Sequence, residues 1–277
     1  MNLDPEALRS DVQAALDEDI GPGDASAQLI PDDRVSGARI ICRDAGVLAG
    51  RAWVEAAFAE CDSRIELSWS VADGDSIYEG QELVSLRGPA RGILTAERTA
   101  LNFLQLLSAV ATRTRAYVDA VAGTGVRIID TRKTIPGLRI AQKYAVRCGG
   151  GSNHRIGLFD LIMLKENHIA AAGGISGAVA QARSCFPNLE VEVEVESLDE
   201  FDEALEAGAD RILLDNFTLA ALKQAVARSK AGAVLEASGG ITLDTVTSVA
   251  ATGVDDISVG ELTKCIDPLD LSLRFIE

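Results

Sequence analysis

Six apolar or alternating runs succeed one another in the second half of the chain, VRIIDT, DLIMLK, EVEVEVE, RILLDN, VLEAS and DISVG, most of them trailed by a stretch of helical periodicity. The run ends at Lys165, Glu194, Asp215, Ser238 and Gly260 recur about every 20 to 30 residues, which is the length of one βα unit. Successive units of this kind predict parallel strands, closed into a barrel or laid out as an open sheet, and in both cases ligands bind at the carboxyl ends of the strands. No GxGxxG follows the first run, which argues against a dinucleotide fold.

The first hundred residues have a different rhythm. Short strand-like runs, Ala38–Arg43, Arg64–Val71 and Glu82–Leu86, are separated by turn signals such as Asp73-Gly74-Asp75 and Arg87-Gly88-Pro89, and predict a small α+β domain. A long helix is then expected over TAERTALNFLQLLSAVATRTRAYVDAVA, where Leu101, Leu104, Leu107, Val110 and Ala111 fall at helical spacing. Thr95 reads as its N-cap and Glu97 suits the positive first turn. Arg98 would then sit unfavourably against the helix dipole, as though reaching for an anion.

Composition narrows the class. With 277 residues, 47% hydrophobic and 25% charged, the chain can bury a full core without covalent staples. Its five cysteines are scattered without a CxxC pair and it has two histidines, so neither a disulfide framework nor a zinc site is indicated, and free thiols in a reducing compartment are expected. The acidic, amphipathic N-terminal stretch lacks the basic and apolar regions of a secretory signal, and no run of about 18 apolar residues occurs, so a cytoplasmic protein without a membrane partner is predicted.

Charge then points to chemistry. The chain carries a formal net charge of -16, yet from Arg127 to Lys165 eight Lys/Arg face two acidic residues, Asp130 and Asp160. A cationic island in an anionic protein suggests a concave site for small, multiply charged anions; nucleic acid would call for a broad basic face and more than 4% aromatic residues. The strand ends carry polar groups that their apolar bodies do not explain: Thr131-Arg132-Lys133, Lys165 and Asp215-Asn216. There is no GxSxG elbow, no Cys beside a His, and too few histidines for a hydrolytic metal centre. What remains is chemistry by positioning and electrostatics: cations gripping carboxylates and phosphates, glycine amides cradling a phosphate at Ser238-Gly239-Gly240 or Ser258-Val259-Gly260, and carboxylates holding a divalent cation or a sugar.

The strings ERTALNFLQLLSAVAT (97–112), DTRKTIPGLRIAQKYAVRCGGGSNHRIGLFDLIMLKENH (130–168), LLDNF (213–217) and EASGGI (236–241) together resemble the quinolinate phosphoribosyltransferase family. The resemblance implies an α/β fold with an N-terminal α+β open-sandwich domain over residues 1–110, to which 268–277 return, and an incomplete, seven-stranded α/β barrel over 111–267. It implies transfer of phosphoribosyl from 5-phosphoribosyl 1-pyrophosphate to quinolinate with decarboxylation, Mg2+ as cofactor, and a homodimer in which Arg98 enters the neighbouring subunit's site.

By the same resemblance Arg132, His154, Arg155 and Lys165 surround the two quinolinate carboxylates, with Lys133 and Lys165 also near the phosphoribosyl substrate and Thr131 a further substrate-binding residue. Glu194 and Asp215 stand near the ribose and its metal, with Lys133, Lys165, Glu194 and Asp215 as the catalytic set. Ser238, Gly239, Gly240, Val259 and Gly260 form the 5'-phosphate loops. The Val-Glu repeat leaves Glu192 and Glu196 as alternatives to Glu194, because a slip of two residues preserves strand facing. Three other readings stand beside this one: a Schiff-base aldolase using Lys165, a molybdenum-associated paralogue with another substrate, and a non-catalytic anion-binding protein.

Overall fold

The structure, a computed structural model, describes residues 4–229 and 232–276. These residues form two compact units, one drawn from within 1–115, 134–150 and 262–277, the other from within 116–133 and 151–261.

The first unit opens with helix α1 (Pro5–Ile20), whose start is set by Pro5 and by the Asp4 carboxylate, which accepts the Glu6 amide. Its sheet is antiparallel, ordered β12 (Leu271–Ile276), β1 (Val35–Cys42), β5 (Glu82–Pro89), β3 (Glu66–Trp69). The short strands β2 (Gly46–Val47) and β4 (Ser76–Ile77) pair with each other. Alternation along β1 buries Ala38, Ile40 and Cys42 on one face. Helix α2 (Arg51–Cys61) packs on α1 and buries Trp53, Val54, Ala57 and Phe58, with the Trp53 indole donating to Asp11.

The long helix α3 (Ala90–Ala120) corrects one expectation. It starts directly after Pro89 rather than at Thr95, because Ile93 and Ala96 continue the buried face upstream. Thr95 lies inside the helix and donates its hydroxyl to Asp24. Arg98 is therefore in the third turn, exposed, and clear of the dipole's positive end, so the argument from an unfavourable first-turn arginine falls away. Helix α4 (Arg139–Cys148) also belongs to this unit, and Arg139, Lys143 and Arg147 are not among the residues that line the cavity described below.

The second unit is a parallel sheet in the order β6 (Arg127–Ile129), β11 (Asp256–Ser258), β10 (Val234–Ser238), β9 (Arg211–Asp215), β8 (Val191–Val195), β7 (Ile162–Leu164). The first and last strands in sequence are thus neighbours, as in a barrel. Six strands are assigned among the described residues, and the place of a seventh is taken by one parallel bridge between Ile129 and Ser152. The pairing stops there because the next two residues turn to the Asp130 carboxylate, which accepts from the Asn153 side chain and the His154 amide. Helices α5 (Glu166–Ala172) and α6 (Ile175–Cys185) follow β7, and α7 (Leu198–Glu206), α8 (Leu219–Arg228) and α9 (Leu243–Ala250) follow β8, β9 and β10. Ser197 and Thr218 cap α7 and α8 with their hydroxyls. The short α10 (Glu261–Lys264) follows β11.

Strand β8 reverses the usual meaning of alternation. Val191, Val193 and Val195 are fully buried against α6 and α7, while Glu192 and Glu194 share the other face, toward the cavity described next. The polar face of this strand is interior, and its charges must therefore be paired.

Candidate active site

At the carboxyl ends of the parallel strands a cavity of about 460 Å³ gathers Arg132, Lys133, Arg155 and Lys165 with Glu194 and Asp215. Asp130, Thr131, His154, Ser238, Glu236 and Ser258 complete its polar lining. The groups arrive at several strand ends, Thr131, Arg132 and Lys133 after β6, Lys165 after β7, Glu194 on β8, Asp215 on β9, Ser238 on β10 and Ser258 on β11, so the sheet fixes the separation between them.

Two arginines lack strong partners here. The Arg132 Nε is buried and, among the described residues, has no hydrogen-bond acceptor. Among the described residues the Arg155 guanidinium reaches only the Leu161 carbonyl at 3.4 Å and the Met163 sulfur at 3.4 Å. Burial first, and then the charge of Arg132, push the Arg155 guanidinium below its ordinary range. Two crowded cations with unmet donors would be relieved by a ligand bearing two negative groups.

On the other side Lys165 forms an ion pair with Glu194. Asp215 is held above the usual carboxylate range by burial and then by the charge of Glu194, against the pull of Lys165 and Lys133. Two carboxylates facing one cavity with this repulsion between them suit a divalent cation or the hydroxyls of a sugar. The register of β8 against β9, with Glu194 opposite Leu213 and Glu192 opposite Arg211, puts Glu194 at the cavity. Glu192 lies one step deeper, and Glu196 is exposed, its amide donating to Glu200.

From the cavity wall inward runs a charge network whose members Glu236, Arg211, Asp256 and Arg127 the sequence reading did not single out. His154 Nε2 is 2.9 Å from Glu192 and 3.3 Å from Glu236, and both carboxylates are at most 1% exposed. Arg211 bridges Asp256 at 2.6 Å, Glu236 at 3.2 Å and Glu192 at 3.5 Å, and Arg127 grips Asp256 through two bonds. Burial alone would lower the His154 imidazole, but hydrogen bonds to Glu192 and Glu236 and their charges outweigh it and hold the ring up at about 9. The Arg155 amide donates to Nδ1 at 2.7 Å, a contact that needs this nitrogen unprotonated, whereas the two buried carboxylates on Nε2 pull the ring toward the cation. Burial, opposed by His154 and reinforced by Glu236, leaves Glu192 above its ordinary value. Glu236, whose burial is outweighed by His154, Ser258 and Arg211, falls below its own. The ligand atoms of His154, Glu192 and Glu236 lie within 4.8 Å of one another, close enough to hold a metal, but a cation there would have to displace the Arg211 pairings. The signal in the sequence was the acidic residue inside VLEAS and the arginine opening RILLDN, charges placed in strand bodies.

The phosphate-loop candidates divide. Ser238 lines the main cavity and also, with Gly239 and Gly240, an adjoining one of about 380 Å³. Gly239 has φ +105, and a Cβ there would fall 2.1 Å from Asn216 Oδ1. Gly260 packs against Lys133, whose Cδ would lie 3.2 Å from an added Cβ. Val259 is buried, with its amide committed to the Ile129 carbonyl, and does not line the cavity. Arg98 does not line it either.

Two family models cover nearly the whole chain: quinolinate phosphoribosyl transferase, N-terminal domain, over residues 24–108, and its C-terminal domain over residues 110–274. The chain belongs to the quinolinate phosphoribosyltransferase family. Among curated family members, the nicotinate-nucleotide pyrophosphorylase (carboxylating) of Mycobacterium leprae is 42% identical, covering 97% of each chain. The probable enzyme of that name from Bacillus subtilis is 42% identical over 92% of this chain and 89% of its own. The solved nicotinate-nucleotide pyrophosphorylase of Francisella tularensis superposes with a TM-score of 0.97 at 44% identity, covering 99% of this chain and 98% of that one. The family's α/β fold is the one expected from the sequence.

Proposed function

We propose that the chain transfers the phosphoribosyl group of 5-phosphoribosyl 1-pyrophosphate to quinolinate, with loss of CO2, giving nicotinate mononucleotide and pyrophosphate for NAD synthesis. The observation that carries this reading is the pairing, in one cavity, of two under-partnered arginines with a carboxylate pair at adjacent strand ends.

The roles follow from charge. Arg132, Arg155 and Lys165 grip the two carboxylates of the pyridine, with His154 as a fixed cation behind them. The pyridine nitrogen is itself the nucleophile at the anomeric carbon, so no side chain need remove a proton. As pyrophosphate departs the ribose gains oxocarbenium character, and the negative charges of Glu194 and Asp215 would stabilise it. Lys133 and the Ser238–Gly240 and Gly260 loops take phosphate groups. The pyridinium so formed accepts the electrons released when the neighbouring carboxylate leaves as CO2.

The mutual repulsion of Glu194 and Asp215 fits Mg2+, which these two residues would hold and which would neutralise the departing pyrophosphate. The protein acts as a homodimer in which Arg98 completes the partner's site. Five free cysteines accord with a cytoplasmic setting. The Lys165–Glu194 ion pair favours charge recognition over attack on a carbonyl by a free amine, which disfavours the aldolase reading. Purified protein given both substrates and Mg2+ should release labelled CO2 and pyrophosphate in equal amounts; binding without release would leave only an anion-binding protein.

A further inference from the structure

Strand β9 ends at Asp215, and the next residue, Asn216, is the one non-glycine with positive φ among the described residues, at 54°. The chain uses glycine for this conformation at 239 and 240, close by. Glycine would adopt it at no steric cost, so a side chain retained at 216 calls for a reason beyond the turn.

Its contacts supply one. The Asn216 backbone amide donates to the Ser238 carbonyl at 2.9 Å, and its Nδ2 donates to Asp215 Oδ2 at 2.8 Å. Its Oδ1 lies where a Cβ on Gly239 would be, 2.1 Å away. The opposite amide orientation would set an oxygen against the carboxylate, so the donor faces Asp215. The one side chain thus touches both the carboxylate and the glycine loop.

We propose that Asn216 is a positioning residue that fixes Asp215 against the Ser238–Gly240 loop, so that the ribose-side carboxylate and the phosphate cradle hold one geometry. This rests on the function proposed above. Asn216 itself transfers nothing; its amide holds one oxygen of Asp215 and its backbone holds the first residue of the loop.

The test compares Asn216→Gly and Asn216→Asp with the parent protein, by steady-state kinetics and by calorimetric titration with ribose 5-phosphate. Glycine keeps the backbone conformation and loses the amide; aspartate tolerates the conformation but sets a second carboxylate against Asp215. The Michaelis constant for 5-phosphoribosyl 1-pyrophosphate and the ribose 5-phosphate dissociation constant should each rise about tenfold or more in both variants, with the quinolinate Michaelis constant within about twofold and the aspartate variant the worse. Parental values in both variants would overturn the inference, reducing Asn216 to a turn former, as would equal losses for both substrates. Failure of the parent protein to make mononucleotide would instead sink the proposed function, and the ribose 5-phosphate titration would still decide the role of Asn216.

Discussion

Arg132 approaches Arg155 closely enough within one cavity that its charge disfavours the Arg155 cation, and no carboxylate ion pair relieves either arginine among the described residues. Such an arrangement is costly in the empty protein and favourable once an anion with two arms enters.

Removing either guanidinium should therefore weaken quinolinate far more than the sugar phosphate. Arg132→Ala and Arg155→Ala should each cost about 2 kcal/mol or more in quinolinate binding, a loss of at least ~30-fold, measured by isothermal titration. Both variants should hold or exceed the parental melting temperature, since a repulsion is lost. Near-parental binding in both would remove these residues from the carboxylate grip.

The Glu194–Asp215 repulsion gives a second expectation. Because Asp215 is held above its ordinary range, its ionised form destabilises the folded protein at neutral pH. Asp215→Asn should melt at a higher temperature at pH 7 while losing most activity, a trade between stability and function. Mg2+ should raise the melting temperature of the parent and not of the variant. An equal rise in both would place the cation elsewhere.

How much of this could be read from the sequence depends on what a strand period reveals. The βα rhythm and the strand-end residues Lys165, Glu194 and Asp215 followed from alternation and spacing, because polar groups at the ends of apolar strands have few other reasons to be there. The start of α3 did not, since Thr95 has the chemistry of a cap and only the packing of Ile93 and Ala96 shows the helix running past it. Nor did the membership of the cationic stretch, whose Arg139, Lys143 and Arg147 lie on α4 and do not line the cavity. Glu192 was legible only as a register alternative to Glu194, and Glu236 not at all, because an acidic residue in a strand normally faces water; only the barrel interior turns such a residue inward.

That buried network carries a pH signature. His154 is held up at about 9 against 6.5 for the free side chain, so its contribution is fully present below about 6.5 and is lost as pH rises to about 9. Urea midpoints should therefore fall between pH 6.5 and 9.5, and this fall should be smaller in His154→Gln. Parallel curves for the two proteins would show that the Glu192–His154–Glu236 cluster does not titrate in this window.

If Arg98 serves the neighbouring subunit, inactive Arg98→Ala and inactive Lys165→Ala proteins should regain activity on mixing under conditions that exchange subunits. Verified mixed dimers hold one site free of both substitutions, so recovery should approach about a quarter of the parental rate at equal mixing. No recovery would make each site self-contained.

The central claim is that fixed cations in one cavity select a pyridine with two carboxylates. It is tested most directly by comparing kcat/KM for quinolinate and nicotinate with saturating 5-phosphoribosyl 1-pyrophosphate and Mg2+. The account predicts a preference for quinolinate of about a thousandfold or more, because nicotinate leaves a half-buried cation of the grip unpaired. Comparable values for the two acids would contradict it.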